Sequence, residues 1–347
     1  MFSKNLKFYR LRNSMTKKEL AEKVDISPMA VTHYEKGDRR PDMELLKKMA
    51  EVLGIRVSDF LVVRNERLVF CHGEFRRNTR LNDTQQDYVR ESVEEYFNRF
   101  MNIVEILGGE ILPDAPACGT LQLTNDFEKD ALVLRKHLGL AADGPIADMV
   151  EMLENKGILV YFCEIDNDDF SGINGFVNDR PYIVVNSNMT PERNRSTIAH
   201  ELAHLMFAWP ENHDDKKVEE LATAISGAFL FPKPDAFREL GLRRRCVSKD
   251  MCYVALEYGI SMFLLVKRSK MLGIITDSAA RSFYIKASQE GWRKNEPVRI
   301  KEETPVLFEQ LVYRAINEEE ISIQKGAELL NTSYDDVYSR CCFCENE

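Results

Sequence analysis

The chain has no apolar run near the roughly 18 residues needed to cross a bilayer. Its start, Met1-Phe2-Ser3-Lys4-Asn5, has no apolar core of the kind an export signal carries. Both absences point to a cytoplasmic protein. A disulfide framework is lacking too. The eight cysteines (Cys71, Cys118, Cys163, Cys246, Cys252, Cys341, Cys342 and Cys344) share no repeated spacing, and reduced thiols are expected. Excess positive charge is absent from the whole: the net charge is −9, which alone argues against a nucleic-acid partner. Histidine is scarce, with 6 in 347 residues, so two in a fixed register stand out. That length is natural for two or three domains rather than one core.

The distribution of charge qualifies the total. Residues 1–65 hold 14 Lys and Arg against 9 Asp and Glu, a balance of +5, so the remainder carries −14. Such asymmetry suggests a DNA-binding end joined to an acidic part with another task. Within the basic end, Thr16-Lys17-Lys18-Glu19 forms a capping box before a helix carrying Leu20, Ala21 and Val24. Asp25-Ile26-Ser27 makes a short turn, and Ser27 with Pro28 starts a second helix that stops at Gly37. Asp42 caps a further helix ending at Gly54.

Two helices joined by so short a turn make a helix-turn-helix, whose second helix enters the major groove N-terminus first. Its outward residues Pro28, Met29, Thr32 and His33 suit base edges: Met29 a thymine methyl, Thr32 and His33 polar groups. Lys17, Ser27, Arg39 and Arg40 suit phosphates. The stretch Thr16 to Asp42, with Glu35, Gly37 and Pro41, resembles the Cro/C1 (XRE) family of repressors. The resemblance implies double-stranded DNA as partner, and an internal ion pair between Arg10 and Glu35. Helix-turn-helix proteins of this kind dimerise, so a homodimer is expected.

Residues 66–124 read as a helical connector, with a helix over 82–107. From Asn125 a second domain is expected to run to 285. It holds helices over 127–138 and 145–156, then strands over 158–162, 173–177 and 182–185. The strand near Ile173 to Val177 is expected to expose an edge able to pair with an extended substrate.

Then comes Thr197-Ile-Ala-His-Glu-Leu-Ala-His204. His200 and His204 lie four apart, so a helix sets both imidazoles on one face, where they can share one Zn²⁺. Glu201, one residue on, is placed to take a proton from an attacking water and pass it to a leaving amine. A third protein ligand is needed. The next helix, about 216–231, offers Glu219 on its apolar stripe, with Glu220 on the adjacent face, and His213 precedes it in a polar loop.

These residues, with Pro191-Glu192-Arg193, Glu219-Glu-Leu-Ala222 and Phe229-Leu-Phe-Pro232, resemble the ImmA/IrrE family of gluzincin-like metallopeptidases over residues 125 to 280. The family's Glu-x-x-Ala element implies Glu219 as third ligand and Zn²⁺ as cofactor. Departures fall at Ser196, Ala203, Thr223 and Ile225, which read as packing positions. Family members act in regulatory circuits, often cleaving a partner repressor or inhibitor on a stress or infection signal.

Beyond this, 253–271 repeats a helix-turn-helix pattern, more economically a packing unit for the peptidase core. Residues 286–347 read as a helical C-terminal region ending in Cys341-Cys342-Phe343-Cys344, thiols that suit a soft metal or oxidation but read most simply as a reduced tail.

The expectation is therefore a multidomain, mainly α protein. An all-α helix-turn-helix domain (1–65) and the connector precede an α+β gluzincin-like domain with a small sheet, and a helical region closes the chain. The function expected is a transcriptional regulator whose zinc peptidase cleaves a partner repressor, antitoxin or toxin, or itself. The alternative is a non-catalytic repressor or antitoxin-like regulator in which the zincin domain is a sensor or interaction module.

Overall fold

The structure is a computed structural model, and it describes residues 2–73, 81–124, 126–210, 214–293 and 295–341. The chain forms two compact units. One gathers residues 2–70, 81–111 and 308–341; the other holds 71–73 and 112–307. The chain leaves the first unit and returns to it at its C-terminal end.

The first unit opens with α1 (Phe2–Arg12), α2 (Lys17–Val24), α3 (Pro28–Lys36) and α4 (Met43–Leu53). Each of the last three starts is chemically marked. Thr16 and Glu19 cap α2 reciprocally, Ser27 Oγ accepts from Ala30 N with Pro28 next, and Asp42 accepts from Leu45 N. Gly37 and Gly54 end α3 and α4 at left-handed φ of 82° and 65°, where a Cβ would be strained. The apolar faces meet in a core of Leu6, Leu20, Ala21, Val24, Val31, Leu46, Met49, Leu53 and Phe60. Arg10 Nη2 donates to Glu35 Oε2 at 3.1 Å, and both side chains are about 95% buried, so the ion pair implied by the family resemblance is present. The long α5 (Asp83–Ile106) packs beside α1, with Lys7 bridging Asp87 and Glu91.

In the second unit, α6 (Phe127–His137) and α7 (Met149–Glu154) lead into a sheet of β1 (Phe70–His72), β2 (Leu159–Cys163), β3 (Gly172–Val177) and β4 (Arg180–Asn186). The order is β1-β3-β4-β2. β3 and β4 form an antiparallel hairpin over Asn178-Asp179, both at positive φ as a two-residue loop demands, and β2 runs parallel to β4. β1 falls within the segment read from the sequence as a helical connector. It takes the outer edge of β3, which the sequence pattern leaves exposed: Gly73 N donates to Asn174 O at 2.8 Å.

Across the sheet lies α8 (Pro191–Met206), followed by α9 (Asp215–Leu230), α10 (Lys233–Leu240), α11 (Met251–Tyr258), α12 (Met262–Met271) and α13 (Asp277–Gln289). Ile198, Leu202, Ile225, Phe229, Tyr258, Leu265 and Phe283 share one core. α11 and α12 therefore serve as packing elements of this unit. α10 and α13 lie outside the helices expected from the sequence; Pro232 and Pro234 read as stops, yet Pro is tolerated in a first helical turn. Residues 296–307 bind the unit through buried carboxylates. Glu192 accepts from Ile300 N at 2.7 Å, Glu154 from Val306 N and Leu307 N at 3.2 Å each, and Glu296 accepts from Met262 N at 2.9 Å. Arg195 pairs with Glu303. Burial pushes Glu154 and Glu296 up to about 7.

The chain re-enters the first unit with α14 (Leu307–Asn317), α15 (Ile323–Leu330) and α16 (Tyr334–Cys341). Phe308 lies 5.4 Å from both Tyr96 and Phe100 of α5, and Arg99 donates to Leu329 O. Cys341 ends α16, while Cys342 and Cys344 lie outside the described residues. Among the described residues no helix is long and apolar enough to cross a membrane.

Candidate metal centre and DNA-facing helix

α8 begins at Thr190, whose hydroxyl accepts from Arg193 N, with Pro191 at the first helical position. One turn separates His200 from His204, so the helix presents both imidazoles together. α9 begins at Asp214, which accepts from Lys217 N, and brings Glu219 opposite them. His200 Nε2 and His204 Nε2 are 3.2 Å apart. Glu219 Oε2 lies 3.2 Å from His200 Nε2, and Glu219 Oε1 3.6 Å from His204 Nε2.

These spacings can be tested against a metal. Two ligand atoms, each about 2.0–2.1 Å from one tetrahedral Zn²⁺, stand about 3.3–3.4 Å apart. The three side chains can each offer one ligand atom, all within 4.8 Å of one another, a spacing that suits a single shared ion. Glu220, the competing carboxylate, points away; its side chain is 69% exposed and it faces Lys216. His213 lies outside the described residues.

Glu201 is buried beside this cluster, and Asn174 Nδ2 donates to its Oε2 at 2.7 Å. The register between strand and helix explains the contact. Gly172 and Asn174 point to the same face of β3, about 6.6 Å apart along the strand. Thr197 and Glu201 are one turn apart on α8, about 6 Å along its axis. Gly172 therefore meets Thr197 and Asn174 meets Glu201. A Cβ at Gly172 would lie 2.7 Å from Thr197 Cγ2, so glycine lets α8 approach this closely.

Three neighbours lie beyond the residues the sequence singles out. Asn174 gives no sequence signal, since its role exists only once β3 lies under α8. Thr223 reads as a packing position, but its hydroxyl stands 3.5 Å from His200 Nδ1; its place four residues after Glu219 is the available clue. Trp209 covers His204, with ring centroids 5.1 Å apart, and donates its indole N–H to His204 O at 3.2 Å. A groove lined by Glu219, Glu220, Thr223, Ala224, Lys267 and Met271 opens beside the cluster.

In the first unit, Ser27, Pro28, Met29, Arg39 and Arg40 lie at the surface, at the N-terminal end of α3 and the loop after it. Met29 is 63% exposed, so its side chain is free to meet a partner. Thr32 and His33 are half-buried. Thr32 Oγ1 donates to Pro28 O at 3.1 Å, which leaves its oxygen to accept. His33 Nδ1 lies 3.1 Å from Asp38 Oδ2. Lys17 stands 3.5 Å from Glu35 and keeps 43% of its side chain exposed.

One unit carries a capped helix-turn-helix and the other a cluster of His200, His204 and Glu219 on helices packed against a small sheet, the two marks of a regulator with a helix-turn-helix and a zincin-like domain. Residues 6–60 match the family model of the helix-turn-helix. Residues 153–270 match that of the IrrE N-terminal-like domain. An uncharacterized HTH-type transcriptional regulator of Methanocaldococcus jannaschii is 30% identical over 61 residues, which are 18% of this chain and 92% of that protein. One of Archaeoglobus fulgidus is 33% identical over 60 residues, 17% of this chain and 86% of that protein. A third, of Bacillus subtilis, is 34% identical over 70 residues, 20% of this chain and 60% of that protein. The chain belongs to the HTH-type transcriptional regulators of the XRE kind and carries an IrrE/ImmA-like domain.

Proposed function

We propose that the chain is a cytoplasmic, homodimeric DNA-binding regulator whose second working end is a zinc-dependent endopeptidase. It cleaves a partner regulator, or the chain itself, in answer to a stress or phage signal. DNA reading belongs to residues 1–65, and peptidase chemistry to residues 125–285. The observation that carries the reading is the convergence of His200, His204 and Glu219 beside the buried Glu201.

His200, His204 and Glu219 would hold the ion. Bound Zn²⁺ would supply Lewis acidity, polarising the scissile carbonyl and acidifying the attacking water. Thr223 and Trp209 keep the two imidazoles in orientation, and Trp209 also keeps bulk water from His204. Glu201, held by Asn174, takes the proton from the attacking water and returns it to the leaving amine. On the DNA side, Pro28, Met29, Thr32 and His33 face base edges, while Lys17, Ser27, Arg39 and Arg40 hold phosphates.

A second reading is favoured by β1, which fills the strand edge beside the centre. In it the domain senses a metal or holds a partner, antitoxin-like, without turnover. Glu201→Gln separates the two. The peptidase reading expects the variant to keep its fold, its metal and its DNA binding while losing cleavage and release of the promoter. A variant that regulates its promoter as the wild type does sinks that reading.

A further inference from the structure

The first unit encloses a cavity of about 140 Å³, walled by α1, residues 56–64, α5 and α15. A space of about 150 Å³ takes one benzene-sized ring. Phe8, Tyr9, Val62, Ala327 and Leu329 bring apolar surface to it. Exposed Arg56, Val63 and Asn331 form its rim, so a longer ligand can extend outward.

The charges of the lining cancel pair by pair. Arg99 donates to both oxygens of Glu95, at 2.7 and 2.9 Å. Arg56 stands 3.4 Å from Asp59, and Lys325 stands 3.1 Å from Glu328. Arg64 Nε donates to Asn5 Oδ1 at 2.9 Å, and its Nη1 lies 3.2 Å from Glu91. A charged ligand would lose water here and meet only charges that are already paired. Three polar side chains of the lining are uncommitted: Tyr9, Asn102 and Asn331 hydrogen-bond to no other side chain or backbone group among the described residues. Burial, then the nearby carboxylates of Glu95 and Asp59, push the Tyr9 phenol up to about 12, so its hydroxyl stays a donor. A half-buried donor and two amides turned to one small space are the polar groups a ligand orients on.

We propose that this cavity binds an uncharged pyrimidine base, free or as its nucleoside. The single ring matches the space, and a neutral ring brings no charge to desolvate. Its edge alternates N–H and C=O groups. An asparagine amide sets a donor beside an acceptor, the arrangement that pairs bidentately with a base edge. The Tyr9 hydroxyl donates to a ring carbonyl. The bound base touches α1 and α15 together, and α1 also carries Arg10, whose partner Glu35 lies in α3. Because the cavity exists only in the folded unit, its occupant stabilises the helix that holds the DNA-facing helix.

Isothermal titration calorimetry of the full chain with uracil, cytosine and uridine tests the proposal. Orotate, an anion on the same ring, and toluene, a ring without a polar edge, are titrated beside them. At least one neutral pyrimidine is expected to bind at one site per chain, with orotate and toluene about tenfold weaker or worse. Tyr9→Phe keeps the ring and removes the hydroxyl, and Asn102→Ala removes an amide. Each should weaken binding by about three- to tenfold with unchanged circular dichroism, and either decides if the other misfolds. The bound base should also raise the melting temperature of wild type, and less so that of the variants. Three results overturn the proposal: no neutral pyrimidine bound at millimolar concentration, orotate or toluene bound as tightly as the best of them, or wild-type affinity in the folded variants.

Discussion

At the scale of single residues, the helix-turn-helix depends on Arg10 and the candidate centre on Thr223. Arg10 and Glu35 are nearly excluded from water, so removing one leaves the other charged and unpaired. Arg10→Ala is expected to cost about 3–5 kcal/mol, a large share of the stability of so small a core. A thermal melt of the variant should show the first unit unfolding earlier; a melt matching wild type would mean the pair carries no such weight. Thr223 touches His200 on the nitrogen away from the cluster. Thr223→Val keeps the shape and removes that contact, so zinc affinity should fall by about 10–100-fold while circular dichroism stays unchanged. A competition titration with a chelator reads the change, and an unaltered affinity would leave Thr223 a packing residue.

At the scale of elements, residues 296–307 tie pH to the second unit's stability. Burial raises Glu154 to about 7 from its ordinary 4.5, so the native protein holds a proton that the unfolded chain has released. That contribution is complete below pH 4.5 and is lost as the pH rises through about 7. Glu154→Gln has no proton to lose and still offers an acceptor to Val306 and Leu307. The melting temperature of Glu154→Gln relative to wild type should therefore climb between about pH 5 and 8. A difference that stays flat would contradict the buried, protonated carboxylate.

Elements also show what the sequence could and could not reveal. α2 and α3 are legible because Thr16, Ser27, Pro28 and Gly37 act locally, each through a bond within a few residues. His200 and His204 are legible for the same reason, being one turn apart. Glu219 needs the apolar stripe of α9 and a family likeness. β1 and Asn174 are illegible because their roles are set by pairing across the fold: Gly73 meets Asn174, and Asn174 meets Glu201, only after the sheet is built. The edge of β3 reads as open in the sequence for that reason. The return of α14–α16 to the first unit likewise rests on Phe308 meeting Tyr96 and Phe100, contacts between distant segments.

At the scale of the whole molecule, charge is divided between a basic end and an acidic remainder. Phosphate contacts release counterions, so DNA affinity should fall steeply with salt. Arg39→Ala and Arg40→Ala should each lower the slope of log affinity against log salt by about one and weaken all sequences alike. An effect on one sequence only would instead make that arginine a reader of bases.

The claim that joins these scales is that His200, His204 and Glu219 hold a zinc ion beside Glu201. Elemental mass spectrometry on full-length protein purified without a histidine tag tests it, with His204→Ala alongside. The account predicts about one zinc per chain in the wild type, as a set of three convergent protein ligands would take up, and its loss in His204→Ala. A well-folded wild type that takes up no metal, even when zinc is supplied, would contradict it.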